Sequence, residues 1–191
     1  TELLRKVCAV PMLAENFFVG GLTEAESPTF SIHAVRIYED CVQCFLRRLL
    51  VLIHVGSGQP LRAPEILSTR WKNTENQRRN IFIVDGRVMI HTTYHKGLNM
   101  TGQTKDNIRF LPRAVGDLVL DYIAYVLPLR HLFLRQQSTP HAILSPYLWA
   151  TLDGSVWSDG ALSRCLSKAC ARAHHRNEEA PQDHTCQQRV H

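Results

Sequence analysis

The sequence has no apolar run long enough to span a lipid bilayer. Its most apolar stretch, Phe45 to Val55, is interrupted by Arg47 and Arg48 and falls far short of the about 20 residues that a membrane helix needs. Residues 1–5 lack the basic and then apolar order of a secretory signal. We therefore expect no membrane partner, and the missing initiator Met leads us to expect a fragment of a longer chain.

Zinc-finger spacing is also missing. Cys41 and Cys44 form one C-x-x-C, but no second pair of cysteines or histidines follows at the spacing of a finger. The pair lies in a segment with helical periodicity, where residues three apart share one face. We interpret the six cysteines as reduced thiols, and expect neither a metal nor a cofactor. No G-x-x-x-x-G-K-[ST] is present, so the chain carries no helicase ATP-binding motif.

Charge is only mildly unbalanced. The 191 residues contain 22 Lys and Arg against 17 Asp and Glu, for a net charge of +5, and 45% of the residues are hydrophobic. This composition is typical of a globular domain with its own core, and excludes a disordered or disulfide-dense chain. A basic balance of this size permits a polyanionic partner without requiring one.

The strongest local pattern predicts a β-hairpin. Two β-rich runs within Asn80–Asp85 and Arg87–His95 flank the turn Asp85-Gly86. A polar loop from His95 to Asn107 and a short extended piece, Ile108–Pro112, follow it.

Helical periodicity surrounds the hairpin. We predict a helix over Leu3–Asn16 that Pro11 kinks or ends, a long helix over Val35–Val55 with Leu52 facing inward, and a short helix near Pro64–Thr69.

After the hairpin, an amphipathic helix from Val115 is closed by Pro128. A short strand over Tyr147–Ala150, a helix over Asp159–His174 and a loop over His175–His184 complete the prediction. The fold class is therefore mainly α with a small antiparallel β-hairpin or sheet (α+β).

Several basic side chains lie at the ends of these elements, where they could meet around one phosphodiester. Arginine forks onto phosphate oxygens, and lysine can serve as a general acid. The candidates in chain order are Arg62, Lys96, Arg109, Arg113, Arg189 and His191.

The order of these motifs resembles the catalytic domain of the tyrosine recombinases (phage-integrase-like). Ser57–Trp71 is similar to the first signature box of that family, with two extra residues between Gly58 and Arg62. A hairpin, a basic residue and the apolar-Pro pair Leu111-Pro112 before a long helix follow in the family's order. The phrases at 57–65, 79–86, 94–97 and 108–112 are closest to a recombinase-like domain of fungal proteins, often linked to a RecQ-type helicase or found in Crypton-like mobile elements.

The resemblance implies a role for each matched residue. Arg62 would be the first phosphate-clamping arginine, and Glu65 would buttress it. Lys96 would be the general acid, with Lys105 as the alternative. Arg189 would be the second clamping arginine and His191 the nearby histidine, while Arg109 and Arg113 would add contacts to DNA.

Two features depart from the family's pattern. The H/K-x-x-R motif is not met, because position 186 is Cys and His184 lies five residues before Arg189. The last tyrosine is Tyr147, whereas the family's nucleophile should lie well downstream of the second arginine. We therefore expect this chain to lack its nucleophile, by truncation or by loss.

Three functions stay open. The first is a nuclear DNA-binding domain of the recombinase type, with 1–34 as an N-terminal segment and 35–191 as the incomplete catalytic domain, oligomeric only on DNA if at all. The second is a non-catalytic module that holds DNA beside a helicase region of the same parent protein. The third is a helical protein-interaction scaffold, which predicts that Arg62, Lys96 and Arg189 lie on separate faces.

Overall fold

The computed structural model describes residues 2–19, 29–94, 105–138 and 141–179, and it is mainly helical with one small antiparallel sheet. This confirms the predicted fold class at the level of a mixed, mostly α structure. The elements, in chain order, are α1 (Glu2–Cys8), α2 (Pro11–Phe17), α3 (Ile32–Gly56), α4 (Ala63–Leu67), β1 (Ile81–Val84), β2 (Arg87–Tyr94), β3 (Lys105–Phe110), α5 (Arg113–Asp121), a π-helical turn (Tyr122–Val126), α6 (Leu127–Gln137) and α7 (Gly160–Glu179).

The N-terminal helices confirm the break predicted at Pro11. Proline begins α2, where its missing N–H is harmless because the first helical amides have no partner within the helix. Phe17 of α2 packs against Tyr38 and Phe133, so the predicted N-terminal segment rests on the body of the protein.

Helix α3 is the central element of the core. Leu46, Leu49, Leu50 and Ile53 are buried along its length, as the helical spacing predicts. The inward placement predicted for Leu52 is wrong, because this side chain is 44% exposed. It falls on the flank of the helix and lines a groove between α3 and α7.

The sheet has the order β1-β2-β3, with both pairs antiparallel. Asp85 and Gly86 have φ angles of 48° and 70°, the two positive values that a type I′ turn requires, so the predicted D-G hairpin is confirmed. The predicted extended piece is part of β3, which begins earlier, at Lys105. The loop predicted through Asn107 is therefore wrong over 105–107, because pairing with β2 outweighs the weak strand preference of Lys, Asp and Asn.

Pro128 does not close the following helix. The chain stays helical from Arg113 to Gln137, and the five-residue π turn ends two residues before the proline. The Leu127 amide donates to the carbonyl of Tyr122, five residues back, so the wider turn lets the helix continue past a residue that cannot donate. The sequence periodicity carries no sign of such a turn.

Two further predictions are corrected near the end of the described chain. Tyr147 and Ala150 form only isolated bridges, to Arg70 and Val156, and not the predicted strand. Helix α7 continues to Glu179, so the loop predicted from His175 is wrong over 175–179. The rest of that predicted loop lies outside the described residues.

A charged network crosses the core. The Arg130 guanidinium is almost fully buried and forms a salt bridge with Glu39, with Nη2 2.6 Å from Oε1. Its Nη1 donates to the Tyr122 hydroxyl at 2.7 Å, and Nη2 also donates to the Ala150 carbonyl at 3.1 Å. Gln43 donates to Glu39 and to the same carbonyl. The network ties α3, the π turn, α6 and the 147–157 segment together.

Candidate nucleic-acid interface

Arg62 stands at the start of α4, where the sequence placed it. Leu61 before it and Ile66 after it are buried, which anchors this short helix to the core. The backbone N–H of Arg62 donates to Glu65 Oε2 at 3.3 Å, the carboxylate half of a capping box. Glu65 is half-buried and Arg62 is exposed. Glu65 therefore contacts the Arg62 backbone and fixes the helix start that carries the guanidinium.

Arg109 reaches the same segment from the sheet. It pairs with Ile90 of β2, so both side chains lie on the face of the sheet that packs against the helices. Its Nη1 lies 3.8 Å from the position a Cβ would take on Gly58, four residues before Arg62. Gly58 has a φ of +90°, a conformation that favours glycine. The turn before α4 and the Arg109 guanidinium therefore lie together.

Unpartnered polar atoms are concentrated around this contact. Arg109 Nε, Ser57 Oγ and Thr92 Oγ1 are buried and have no hydrogen-bond partner among the described residues. Thr92 is two residues from Ile90 on β2, and so lies on the same face of the sheet as Arg109. Buried polar groups usually have a hydrogen-bond partner, so a group of three without one marks this region as unusual. We name Ser57, Gly58, Arg62, Thr92 and Arg109 the Arg109 site.

His54 lies one helical turn before the Arg109 site. Its Nδ1 is buried without a partner among the described residues, and burial lowers the pKa of the imidazole below its usual value. The ring is therefore neutral at neutral pH and adds no positive charge beside Arg109.

The other predicted site residues divide into two groups. Arg113 is exposed at the first position of α5. Lys105 begins β3, and only its backbone belongs to the described structure. Lys96, Arg189 and His191 lie outside the described residues, and with them the predicted meeting of Arg62 and Arg189.

A larger group of cations was missed by the sequence reasoning. Helices α3 and α7 border a groove whose cationic side chains are Arg47, Arg48, Arg164, Lys168 and Arg172. The last three are spaced four residues apart, which places them along one side of a helix. That spacing is visible in the sequence and could have indicated a basic helical face.

Metal chemistry has no candidate centre in the described part of the chain. No group of three or more His, Cys, Asp or Glu side chains could hold an ion there. The five cysteines within those ranges are free thiols, including Cys41 and Cys44 on α3. No helix of the described ranges is long and apolar enough to cross a bilayer.

No protein-family model matches this chain, and no solved structure matches it.

Proposed function

We propose that this chain binds DNA through the phosphate backbone, as a domain of the tyrosine recombinase type. The observation that carries the proposal is the position of the Arg109 guanidinium beside the turn that leads into Arg62. The Arg109 Nε is buried and has no hydrogen-bond partner among the described residues, while its Nη1 lies beside the turn. Arginine can bind two phosphate oxygens at once through its paired guanidinium donors.

The order of motifs supports the recombinase part of the proposal. Arg62 and Glu65 open a short helix, a hairpin follows, and Leu111-Pro112 leads into a long helix. In the complete mechanism of that family, a tyrosine attacks the phosphate, arginines stabilise the oxyanion and a lysine protonates the leaving oxygen. Arg62 and Arg109 would serve the second of these tasks in this chain.

A non-catalytic DNA-holding module is the second candidate. The specific observations that favour it are Cys186 in place of the family's His or Lys, and the modest net charge of +5. This candidate uses the same Arg109 site to hold DNA and performs no strand cleavage. The scaffold alternative predicts that Arg62, Lys96 and Arg189 lie on separate faces, and it stays open because Lys96 and Arg189 lie outside the described residues.

Duplex binding by paired variants tests the proposal. Arg62→Ala combined with Arg109→Ala should weaken binding of a fluorescent duplex by about tenfold at low salt, because two phosphate contacts among several are lost. Arg36→Ala combined with Arg87→Ala removes the same charge from exposed positions outside the site and should change affinity less than about twofold. Equal losses in the two double variants would contradict a DNA role for the Arg109 site.

A further inference from the structure

A basic groove runs between α3 and α7, separate from the Arg109 site. Two adjoining cavities form it, one of about 450 Å³ at the end near Trp157 and one of about 580 Å³ along the flank of α3 that carries Leu52. Both cavities are bordered by Arg47, Cys165 and Lys168, so we treat them as parts of one groove.

The charge of this groove is of one sign. Five cations border it (Arg47, Arg48, Arg164, Lys168 and Arg172), and no acidic residue does so within the described ranges. All five are exposed. None of the salt bridges of the described structure involves any of the five. The positive charge of the groove is therefore not neutralised by the described part of the protein.

Three of the cations border the same cavity of the groove. Arg47, Arg164 and Lys168 line the cavity near Trp157, together with the buried Cys165 thiol. Arg164 Nη2 is also held by the Ser158 hydroxyl at 3.0 Å. On α7, successive cations four residues apart rise by about 6 Å each, so the charges form a line and not a single spot.

We propose that this basic groove binds the phosphate backbone of single-stranded DNA. The proposal rests on the proposed function, because it takes DNA as the polyanion, and adds a second surface to it. Val51 and Leu52 line the groove between its cations, and the unpaired bases of a single strand, unlike the stacked pairs of a duplex, are free to contact such apolar side chains. The half-buried Trp157 ring borders the Arg164 end, where the Trp149 ring (5.8 Å between centroids) and an Nε1 hydrogen bond to Gln43 hold it, and its exposed part is left to contact a base. A cationic groove combined with an aromatic side chain is typical of single-strand binding.

A charge-matched comparison tests this assignment. The groove variant carries Arg47→Ala, Lys168→Ala and Arg172→Ala, and the control carries Arg36→Ala, Arg87→Ala and Arg135→Ala, three exposed cations outside the groove. Binding to a fluorescent oligothymidine of about 12 nucleotides is followed by anisotropy across a salt series. Because all six positions are exposed, both variants should keep the thermal melting of the parent chain.

The groove variant should bind the strand at least about tenfold more weakly than the control at low salt. Its slope of log affinity against log salt should be shallower by about 2, since three single-strand contacts are lost at about 0.7 each. Lys168→Arg should keep the parent affinity because it keeps the charge. Affinities within about twofold for the groove variant and the control would overturn the proposal, as would no single-strand binding by the parent chain at low salt.

Two further results separate this proposal from the proposed function. If the Arg62/Arg109 double variant loses duplex binding while the groove variant behaves as its control with the single strand, the groove assignment fails and the Arg109 site stands. If the groove variant loses single-strand binding and the Arg62/Arg109 variant keeps duplex binding, the Arg109 site fails and the groove stands. Preference of the groove for a duplex of equal length, or for phosphatidylserine vesicles, would also overturn the single-strand assignment.

Discussion

Gly58 and the Arg109 guanidinium lie next to each other, beside the turn that leads into α4. Gly58 holds a positive φ that side-chain-bearing residues rarely adopt, and a Cβ there would meet the Arg109 guanidinium at 3.8 Å. A side chain at this position therefore strains the turn before α4, and that turn lies beside the Arg109 guanidinium.

Gly58→Ala should lower the free energy of unfolding by about 1 kcal/mol, because alanine is strained at positive φ. It should also weaken DNA binding. Gly154→Ala is the matched control, since Gly154 has a φ of +91° and no atom of the described residues lies within 4 Å of the added Cβ. Urea denaturation should show similar losses for both variants, and DNA binding should fall for Gly58→Ala alone. Equal affinities for DNA in the two variants would show that the turn at Gly58 is not part of the binding site.

The burial of His54 makes the stability of the fold depend on pH. Burial lowers its folded-state pKa, so the unfolded chain binds the proton more readily. Stability is therefore undiminished above the unfolded pKa of about 6.5, and falls as the pH drops below that value until the folded-state pKa is passed. Unfolding midpoints between pH 7.5 and 5 should fall less steeply in His54→Gln than in the parent chain. His33→Gln, at an exposed position, should keep the parent slope; if it flattens the slope as much, the effect does not come from burial.

Among the helices, the Arg130 network joins elements that are distant in sequence. Arg130→Ala should destabilise the fold by about 3–5 kcal/mol, because it leaves the Glu39 carboxylate without a countercharge, with Gln43 as a neutral hydrogen-bond donor. Arg135→Ala, an exposed arginine in the same helix, should change stability by less than about 0.5 kcal/mol. Denaturant titrations of the two variants measure the difference. A small loss at Arg130 would mean that water reaches Glu39.

Elements whose signals are local could be predicted from the sequence. The Asp85-Gly86 turn needs two positive φ values, and those residue types supply them. Pro128 misled the prediction because its effect depends on a π turn that leaves no mark in the hydrophobic spacing. β3 begins earlier than predicted because its first residues are ordered by pairing with β2.

The candidate sites also divide into residues with a local sequence signal and residues that only tertiary packing brings together. Arg62 and Arg109 were identified because they occupy motif positions at element boundaries. The basic groove was missed because its cations come from two helices more than 100 residues apart, which only tertiary packing brings together. The buried Ser57 and Thr92 hydroxyls have no hydrogen-bond partner among the described residues, and this too is a property of packing that no sequence spacing reveals.

The 191-residue chain should form no covalent adduct with DNA. Tyrosine recombination passes through a phosphotyrosyl intermediate, and no tyrosine follows Tyr147 in this sequence. Nicked suicide substrates incubated with the chain and then denatured should run free of protein. An adduct that survives denaturation and disappears in Tyr94→Phe would contradict the assigned roles, because Tyr94 is two residues before Lys96. If the parent protein carries a downstream tyrosine, supplying that segment should restore the adduct, and Arg62→Ala should abolish it.

The salt dependence of DNA binding tests the central claim most directly. If affinity comes from Lys and Arg contacts to phosphate, the logarithm of the binding constant should fall linearly with the logarithm of salt concentration, with little preference among sequences. Anisotropy of one fluorescent duplex between low and moderate salt measures this. We expect a steep negative slope; binding that does not change with salt, or no binding at low salt, would contradict the account.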